Sequence, residues 1–294
     1  TQRELELQSQ SFNIIPEYKK RQNFITYFEE IAKEYENNST LTNAIAKIKE
    51  FKGNIISFQE IDEKWLEDFK KYLLKEVKQN SASVYFQKTK MALRRAKLEK
   101  IISVNPADFV SGIKMIQSQR THLEYSELIK LWNTECYDEE VKRAFIFSCY
   151  TGLRFSDIKK LTWNEIRDNK LEYKQQKTKE TDYKHLHQTA LEILSIQKKL
   201  IDIKTNLVFT LPNKWWTNEI LKKWIKKAEI NKPLSYHCSR HTFATMCLTY
   251  DTDIYTVSSL LDHKNVKTTQ AYAKIIDSKK QLAIDSLPVL KLTS

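Results

Sequence analysis

Hydrophobic residues recur at every third or fourth position through the first third of the chain, which is the spacing of amphipathic helices. This pattern predicts a bundle of four to five helices packed through their apolar faces. The apolar positions are Phe24, Tyr27, Phe28, Ile31 and Tyr35, then Leu41, Ile45, Ile48 and Phe51, then Trp65, Leu66, Phe69, Tyr72, Leu73 and Val77, and then Met91, Leu93, Ala96 and Leu98.

A polar stretch around Gly112 interrupts the helical pattern and predicts a domain boundary. We assign residues 1–112 to a helical domain, 113–120 to a linker and 121–294 to a second domain with an apolar C-terminal tail. A length of 294 residues fits two domains, each able to bury its own core.

The second domain opens with helical spacing and a nearly all-apolar run, 141–150, which predicts a buried helix ending at Gly152. Alternation at every second residue then predicts a β-hairpin with strands near 171–177 and 183–187. Helical spacing resumes and continues to about Leu261. Because only three glycines and five prolines occur in the chain, we expect a mainly α fold with a small antiparallel β-sheet.

The chain is basic, with a formal net charge of +12 and a sequence pI of about 9.3. This charge favours nucleic acid as a partner over lipid, because no amphipathic membrane stretch accompanies it. Charge alone leaves the question open, since many basic proteins bind no nucleic acid. No signal peptide or bilayer-length apolar run is evident, so we expect an intracellular protein without a membrane partner.

Six residues of the second domain suit chemistry on a phosphodiester: Arg154, Lys177, His237, Arg240, His263 and Tyr272. Two guanidiniums can clamp phosphate oxygens, a lysine can protonate a departing alkoxide, and a tyrosine can hold the phosphate covalently. Such a set requires no cofactor. The four cysteines and six histidines show no four-ligand spacing, so no metal site is expected.

The motifs around these residues resemble those of tyrosine recombinases, the phage-type integrases. The matching segments are 150–157, 161–163, 176–178, 237–244, 260–263 and 268–272. The resemblance implies a helical core-binding domain followed by a catalytic domain. It also implies site-specific cleavage and rejoining of double-stranded DNA through a 3′-phosphotyrosyl bond and a Holliday junction.

By the same resemblance, Tyr272 is the nucleophile, Arg154 and Arg240 clamp the phosphate, and Lys177 is the general acid. His237 assists proton transfer or binds a phosphate oxygen, and His263 positions the phosphate. Asp157 is interpreted either as a support for Arg154 or as an ordinary acid near a helix N-terminus. The remaining histidines are interpreted as structural: His122, His185, His187 and His241.

One position departs from the family pattern, because Asp262 stands where glycine usually precedes the second motif histidine. A carboxylate there either repels the substrate or caps a turn facing away. Backbone contacts to DNA are expected from cations on one helical stretch of the first domain and from the hairpin, namely Lys88, Lys90, Arg94, Arg95, Lys97, Lys174 and Lys179.

The resemblance further implies an integrase of a bacterial mobile element, acting in the cytoplasm at the nucleoid. It implies a homotetramer on two DNA sites that uses the C-terminal tail, with accessory DNA-bending proteins as possible partners. Two alternatives stay open: a type IB topoisomerase that relaxes supercoils, and an architectural DNA-binding protein whose active site has decayed.

Overall fold

A computed structural model of the chain describes residues 21–36, 38–116, 120–174, 181–200, 206–263 and 265–272. The chain divides into two compact units, Thr1–Ser118 and Gln119–Ser294, each with its own hydrophobic core. Within the described ranges, no helix is both long and apolar enough to span a membrane.

The described part of the first unit is helical. Its helices are α1 (Phe24–Lys33), α2 (Ser39–Lys52), α3 (Glu63–Glu76) and α4 (Gln79–Leu98). Side-chain caps start two of them: Asn23 accepts a hydrogen bond from the Ile25 amide, and Asp62 accepts one from the Trp65 amide. α2 and α4 pack against each other, and α1 and α3 complete the bundle around a core rich in aromatic side chains.

Helix α4 begins well before Met91, where the hydrophobic pattern first indicates a helix. Its first half buries one large side chain, Phe86, and otherwise small or polar residues, Ala82 and Ser83, and the Ser83 hydroxyl donates to the Ile113 carbonyl at 2.7 Å. Small buried positions carry little hydrophobic signal, which explains why the sequence pattern underestimates this helix.

The second unit combines helices with one small sheet. Its helices are α5 (Tyr125–Asn133), α6 (Glu139–Thr151), α7 (Phe155–Ile158), α8 (Gln188–Leu200), α9 (Lys214–Lys227), α10 (Cys238–Thr249) and α11 (Ile254–Leu260). A 3₁₀-helix follows at Val266–Tyr272. Helix α6 is the central element, since it packs against α8, α9 and α10 and buries most of its side chains.

Three short antiparallel strands form the sheet in the order β1 (Ile166–Arg167), β2 (Lys170–Lys174) and β3 (Thr181–His185). The register pairs Leu171 with Lys184. Two domains of helices with one small antiparallel sheet confirm the predicted fold class. Residues 175–180, between β2 and β3 in the sequence, lie outside the described residues, and with them lie the predicted functional lysines Lys177 and Lys179.

Candidate active site

The first turn of α10 presents three chemically active side chains on one face. His237 is the N-cap of this helix, and Arg240 and His241 follow it at the i+3 and i+4 positions. Residues with these spacings are neighbours on a helix surface. The imidazole rings of His237 and His241 accordingly meet edge to face, with their centroids 4.7 Å apart.

Arg240 is buried and connects two separate chain segments. Its Nη1 donates to the Gly152 carbonyl at 2.7 Å, and its Nη2 donates to the Leu261 carbonyl. The Gly152 carbonyl lies at the end of α6, where the backbone is left-handed with φ of +68°. A Cβ at this position would lie 2.6 Å from a ring carbon of Phe243 on α10. Glycine therefore allows the close approach that places a backbone oxygen against the guanidinium.

Arg154 follows two residues after Gly152, as the extended residue that begins the short helix α7. Its Nη1 lies 3.9 Å from a carboxylate oxygen of Asp157 and 3.9 Å from one of Asp262. The Arg154 side chain is 37% exposed, so it can reach a ligand while two acids hold it loosely.

Asp262 occupies the left-handed position that ends α11, with φ of +51°. The His263 amide donates to the Ser258 carbonyl at 3.0 Å, and the Asp262 amide donates to the Ser259 carbonyl at 2.8 Å. This pattern is a Schellman cap, for which glycine is the usual residue and aspartate a tolerated one. The backbone thus explains both the glycine of the family pattern and its replacement by aspartate.

The Asp262 carboxylate points inward. One of its oxygens lies 3.3 Å from the Lys184 ammonium of β3, and the two side chains are only 3% and 5% exposed. The pair ties the sheet to the segment that carries His263. Neither interpretation made from the sequence, repulsion of substrate or a cap facing away, included this ion pair.

His263 donates to or accepts from the Thr269 hydroxyl through Nδ1 at 2.8 Å. Burial, reinforced by the Arg240, Arg120 and Arg154 guanidiniums, lowers the pKa of His263 to about 4. Burial and the nearby Arg240 charge likewise lower the pKa of His237. Both imidazoles are therefore neutral at physiological pH and can form hydrogen bonds without adding charge.

Tyr272 closes the 3₁₀-helix and is 4% exposed. Its hydroxyl lies 2.6 Å from Nδ1 of His241 and 3.4 Å from Nη1 of Arg120. The Arg120 guanidinium also sits over the phenol ring, 5.3 Å from the centroid. Burial raises the pKa of Tyr272, and the Arg120 hydrogen bond and charge oppose that rise.

Five of the six candidate catalytic residues, all except Lys177, thus lie within the described part of the second unit. Arg120 and His241 join them, although the sequence gives no role to Arg120 and a structural one to His241. The i+4 spacing from His237 is a local signal that points to His241. No local signal points to Arg120, which is 152 positions from Tyr272.

The candidate DNA-binding residues of α4 differ in their partners. Arg95 forms ion pairs with Glu34 at 2.5 Å and with Glu99 at 2.6 Å. Lys97 pairs with Asp108 at 3.2 Å, and Lys90 donates to the Val110 carbonyl at 2.6 Å.

Two further cations of this set, Lys88 and Arg94, form no ion pair among the described residues. Lys174 is the last residue of β2. Within the described ranges, no group of three metal-ligating side chains occurs.

Comparison with known proteins gives matches in both units. Residues 120–279 match the sequence profile described as the phage integrase family, and residues 23–113 match that of the phage integrase SAM-like domain. A tyrosine recombinase of Thermosipho africanus is 26% identical over 249 residues, which cover 77% of this chain and 85% of the relative.

Solved structures of lambda integrase share the fold. A dimer bound to a COC′ core site has a TM-score of 0.74 at 18% identity, covering 94% of this chain and 81% of that one. A tetramer bound to a Holliday junction has a TM-score of 0.71 at 21% identity, covering 84% and 75%.

Proposed function

The chain belongs to the phage integrase family and is a site-specific DNA recombinase of the tyrosine type. From that premise we propose that Tyr272 cleaves DNA in a site built by Arg154, Lys177, His237, Arg240 and His263. The observation that carries the proposal is the burial of Tyr272 against His241, which is the ring neighbour of His237, and within the electrostatic influence of Arg240.

In the proposed reaction the Tyr272 oxygen attacks the scissile phosphorus and the bond to the 5′ oxygen breaks. The phenol loses its proton, the 5′ oxygen gains one from Lys177, and a 3′-phosphotyrosyl ester remains. The ester conserves the energy of the broken bond, so a 5′ hydroxyl can attack it and rejoin strands without ATP.

The two arginines have different mobility in this proposal. Arg240 is fixed by two carbonyl acceptors and offers a preorganised positive charge to the pentavalent phosphate. Arg154 is partly exposed and loosely paired, so it can turn from Asp157 and Asp262 toward the phosphate. Two neutral histidines supply hydrogen bonds to the remaining oxygens.

Double-stranded DNA is the proposed partner, bound by both units, with Lys88 and Arg94 of α4 among the backbone contacts. We further propose a homotetramer that joins two DNA sites and exchanges strands through a Holliday junction, by analogy with the lambda integrase assembly. In it the apolar tail 287–292 docks on a neighbouring protomer, and DNA-bending proteins assist. The setting is a mobile element integrating at the nucleoid of a bacterial cell.

A nicked suicide duplex containing the target site tests the nucleophile. The full chain should form a covalent adduct that survives denaturation, and Tyr272→Phe should abolish it while leaving DNA affinity nearly unchanged. Tyr255→Phe is a matched control because that ring is 73% exposed on α11. An adduct in Tyr272→Phe would refute the assignment.

The adduct assay and a plasmid relaxation assay together separate the two alternatives. An architectural protein would bind without any adduct, whereas a topoisomerase would relax supercoiled plasmid as a monomer without paired sites. Both units match integrase family profiles, and a matching relative is a tyrosine recombinase, so the comparisons do not favour either alternative.

A further inference from the structure

Among the described residues, the hydroxyl of Tyr272 has two polar partners, and neither belongs to the catalytic set assigned from the sequence. His241 approaches it from α10 with Nδ1 at 2.6 Å, and the two rings are inclined at 60° with centroids 5.8 Å apart. Arg120 approaches with Nη1 at 3.4 Å. The reacting oxygen therefore lies between an imidazole nitrogen and a guanidinium.

The direction of the short hydrogen bond depends on the protonation and tautomer of His241. Burial, together with the nearby His237, Arg120, Arg240 and His122, lowers the pKa of His241 to about 3. The imidazole is therefore neutral at physiological pH. With its proton on Nε2, Nδ1 accepts, and the phenol is the donor.

Arg120 acts on the same oxygen in the complementary way. A guanidinium can donate but cannot accept, so its Nη1 supports negative charge on the phenol oxygen. Its position over the phenol ring also restricts where the ring can lie. As the phenol proton leaves toward His241, the charge that remains on oxygen faces this cation.

We propose that His241 is a further catalytic residue, which takes the phenol proton as Tyr272 attacks the phosphate, and that Arg120 stabilises the developing phenolate. The inference rests on the proposed role of Tyr272 as nucleophile. In the step, the O–H bond breaks, the proton moves to Nδ1, and the oxygen electrons form the new bond to phosphorus. The reverse transfer from His241 returns the proton when the ester is resolved.

The weak basicity of the resting imidazole is consistent with this role. Its pKa is low because the ring is buried and because cations lie nearby, and a bound phosphodiester adds negative charge beside Arg240. That charge raises the pKa of the imidazole when the transfer occurs. His237, which contacts His241 edge to face, is then left to bind a phosphate oxygen.

Two substrates distinguish the two proton transfers, the removal of the Tyr272 proton and the donation of a proton to the 5′ oxygen. One is the ordinary suicide duplex, and the other carries sulfur in place of the 5′ bridging oxygen at the scissile phosphate. A thiolate is a good leaving group and needs no general acid. Lys177→Ala should therefore be slow on the oxygen substrate and recover on the sulfur substrate.

The decisive variant is His241→Asn, which keeps a polar atom near the position of Nδ1 but cannot take a proton. We expect single-turnover adduct formation to slow by roughly 10²- to 10⁴-fold on both substrates, the range typical of general base catalysis. His187→Asn is the matched control, since that exposed histidine lies before α8 and stacks on Tyr150. Its cleavage rate should match that of the parent chain.

A pH profile distinguishes proton transfer from a merely structural effect. Without the base, cleavage by His241→Asn should depend on hydroxide and rise about tenfold per pH unit, whereas the parent profile should be flatter. His241→Asn cleaving at the parent rate, or recovering on the sulfur substrate, would overturn the inference.

A second variant, Arg120→Met, keeps the inference testable if His241→Asn does not fold. It should slow both substrates, and equal rates with the parent chain would refute the role of the cation. Failure of the proposed function itself gives a different result, because the adduct would then persist in Tyr272→Phe.

Discussion

Removal of the Asp262 charge should destabilise the second unit, because the carboxylate is the buried partner of Lys184. The two side chains are 3% and 5% exposed, so solvent screens their attraction far less than at the surface. Removing one member of a buried ion pair costs about 3–5 kcal/mol, since the other charge stays buried. Arg154 adds little, because it is 3.9 Å away and partly exposed.

Two substitutions separate the charge from the backbone. Asn tolerates the left-handed conformation at φ of +51°, so Asp262→Asn removes the charge alone and should lower the free energy of unfolding by about 3 kcal/mol. Asp262→Gly also relieves the left-handed strain, which is worth up to about 1 kcal/mol, and should lower it by about 2 kcal/mol. The glycine typical of the family should thus be destabilising here.

The assay is denaturant unfolding followed by tryptophan fluorescence, which reports mainly on the second unit because every tryptophan except Trp65 lies there. A second probe should confirm which transition belongs to which unit. Asp168→Asn is the matched control: it is the same change at an exposed left-handed position, φ of +48°, and should stay within about 0.5 kcal/mol.

A double-mutant cycle completes the test. Lys184→Met combined with Asp262→Asn removes both charges, so the double variant should be more stable than the sum of the single losses predicts. Strict additivity, or an Asp262→Asn variant as stable as the parent, would refute the reasoning.

Three further outcomes are expected. Gly152→Ala should be destabilising, because it introduces left-handed strain of about 1–2 kcal/mol and overpacking of about 1–3 kcal/mol. Calorimetry should show Tm lowered by roughly 10 °C. Gly112→Ala is the control and should not change Tm, because open space surrounds that position. The pKa of His263 is about 4 in the folded chain against about 6.5 unfolded, so the stability that the neutral ring contributes is full above pH 6.5 and is lost as pH falls through 4. The His263→Asn variant should therefore lose less stability than the parent over that pH interval, as measured by thermal unfolding. Parallel curves of Tm against pH would contradict this. In DNA titrations over a range of salt, Arg94→Ala should reduce the slope of log affinity against log salt concentration by about 0.9. Arg95→Ala should leave that slope unchanged, because Arg95 is paired with two glutamates. Equal changes in slope for the two variants would contradict the distinction.

The sequence predicts the fold well where burial follows a clear period. The core of α1 is an example, since Phe24, Phe28 and Ile31 are all buried at helical spacing. The prediction weakens where buried residues are small, as in the first half of α4. It also missed the burial of Lys184, which it interpreted as a further lysine able to touch the DNA backbone, although the alternation of β3 places this lysine on the same buried face as Leu186.

The candidate site was predictable to the extent that it is local in sequence. His237 and Arg240 share a motif and one turn of helix, so their neighbourhood follows from spacing alone. The hydrogen bonds of Tyr272 do not, because Arg120 lies at the opposite end of the unit in sequence and only folding brings the two together. Likewise, the i+4 spacing marks His241 as a neighbour of His237 on the helix, but nothing in the sequence predicts its hydrogen bond to Tyr272.

The two carbonyl acceptors of Arg240 bear on how inactive versions of this enzyme are chosen. Because the guanidinium braces the end of α6 against the end of α11, its loss would loosen both termini as well as the reaction centre. A dead variant made at that arginine would mix unfolding with lost chemistry. Under the proposed role of Tyr272, deleting its phenol oxygen leaves both hydrogen bonds of Arg240 in place, so Tyr272→Phe is the better choice for trapping uncleaved DNA complexes.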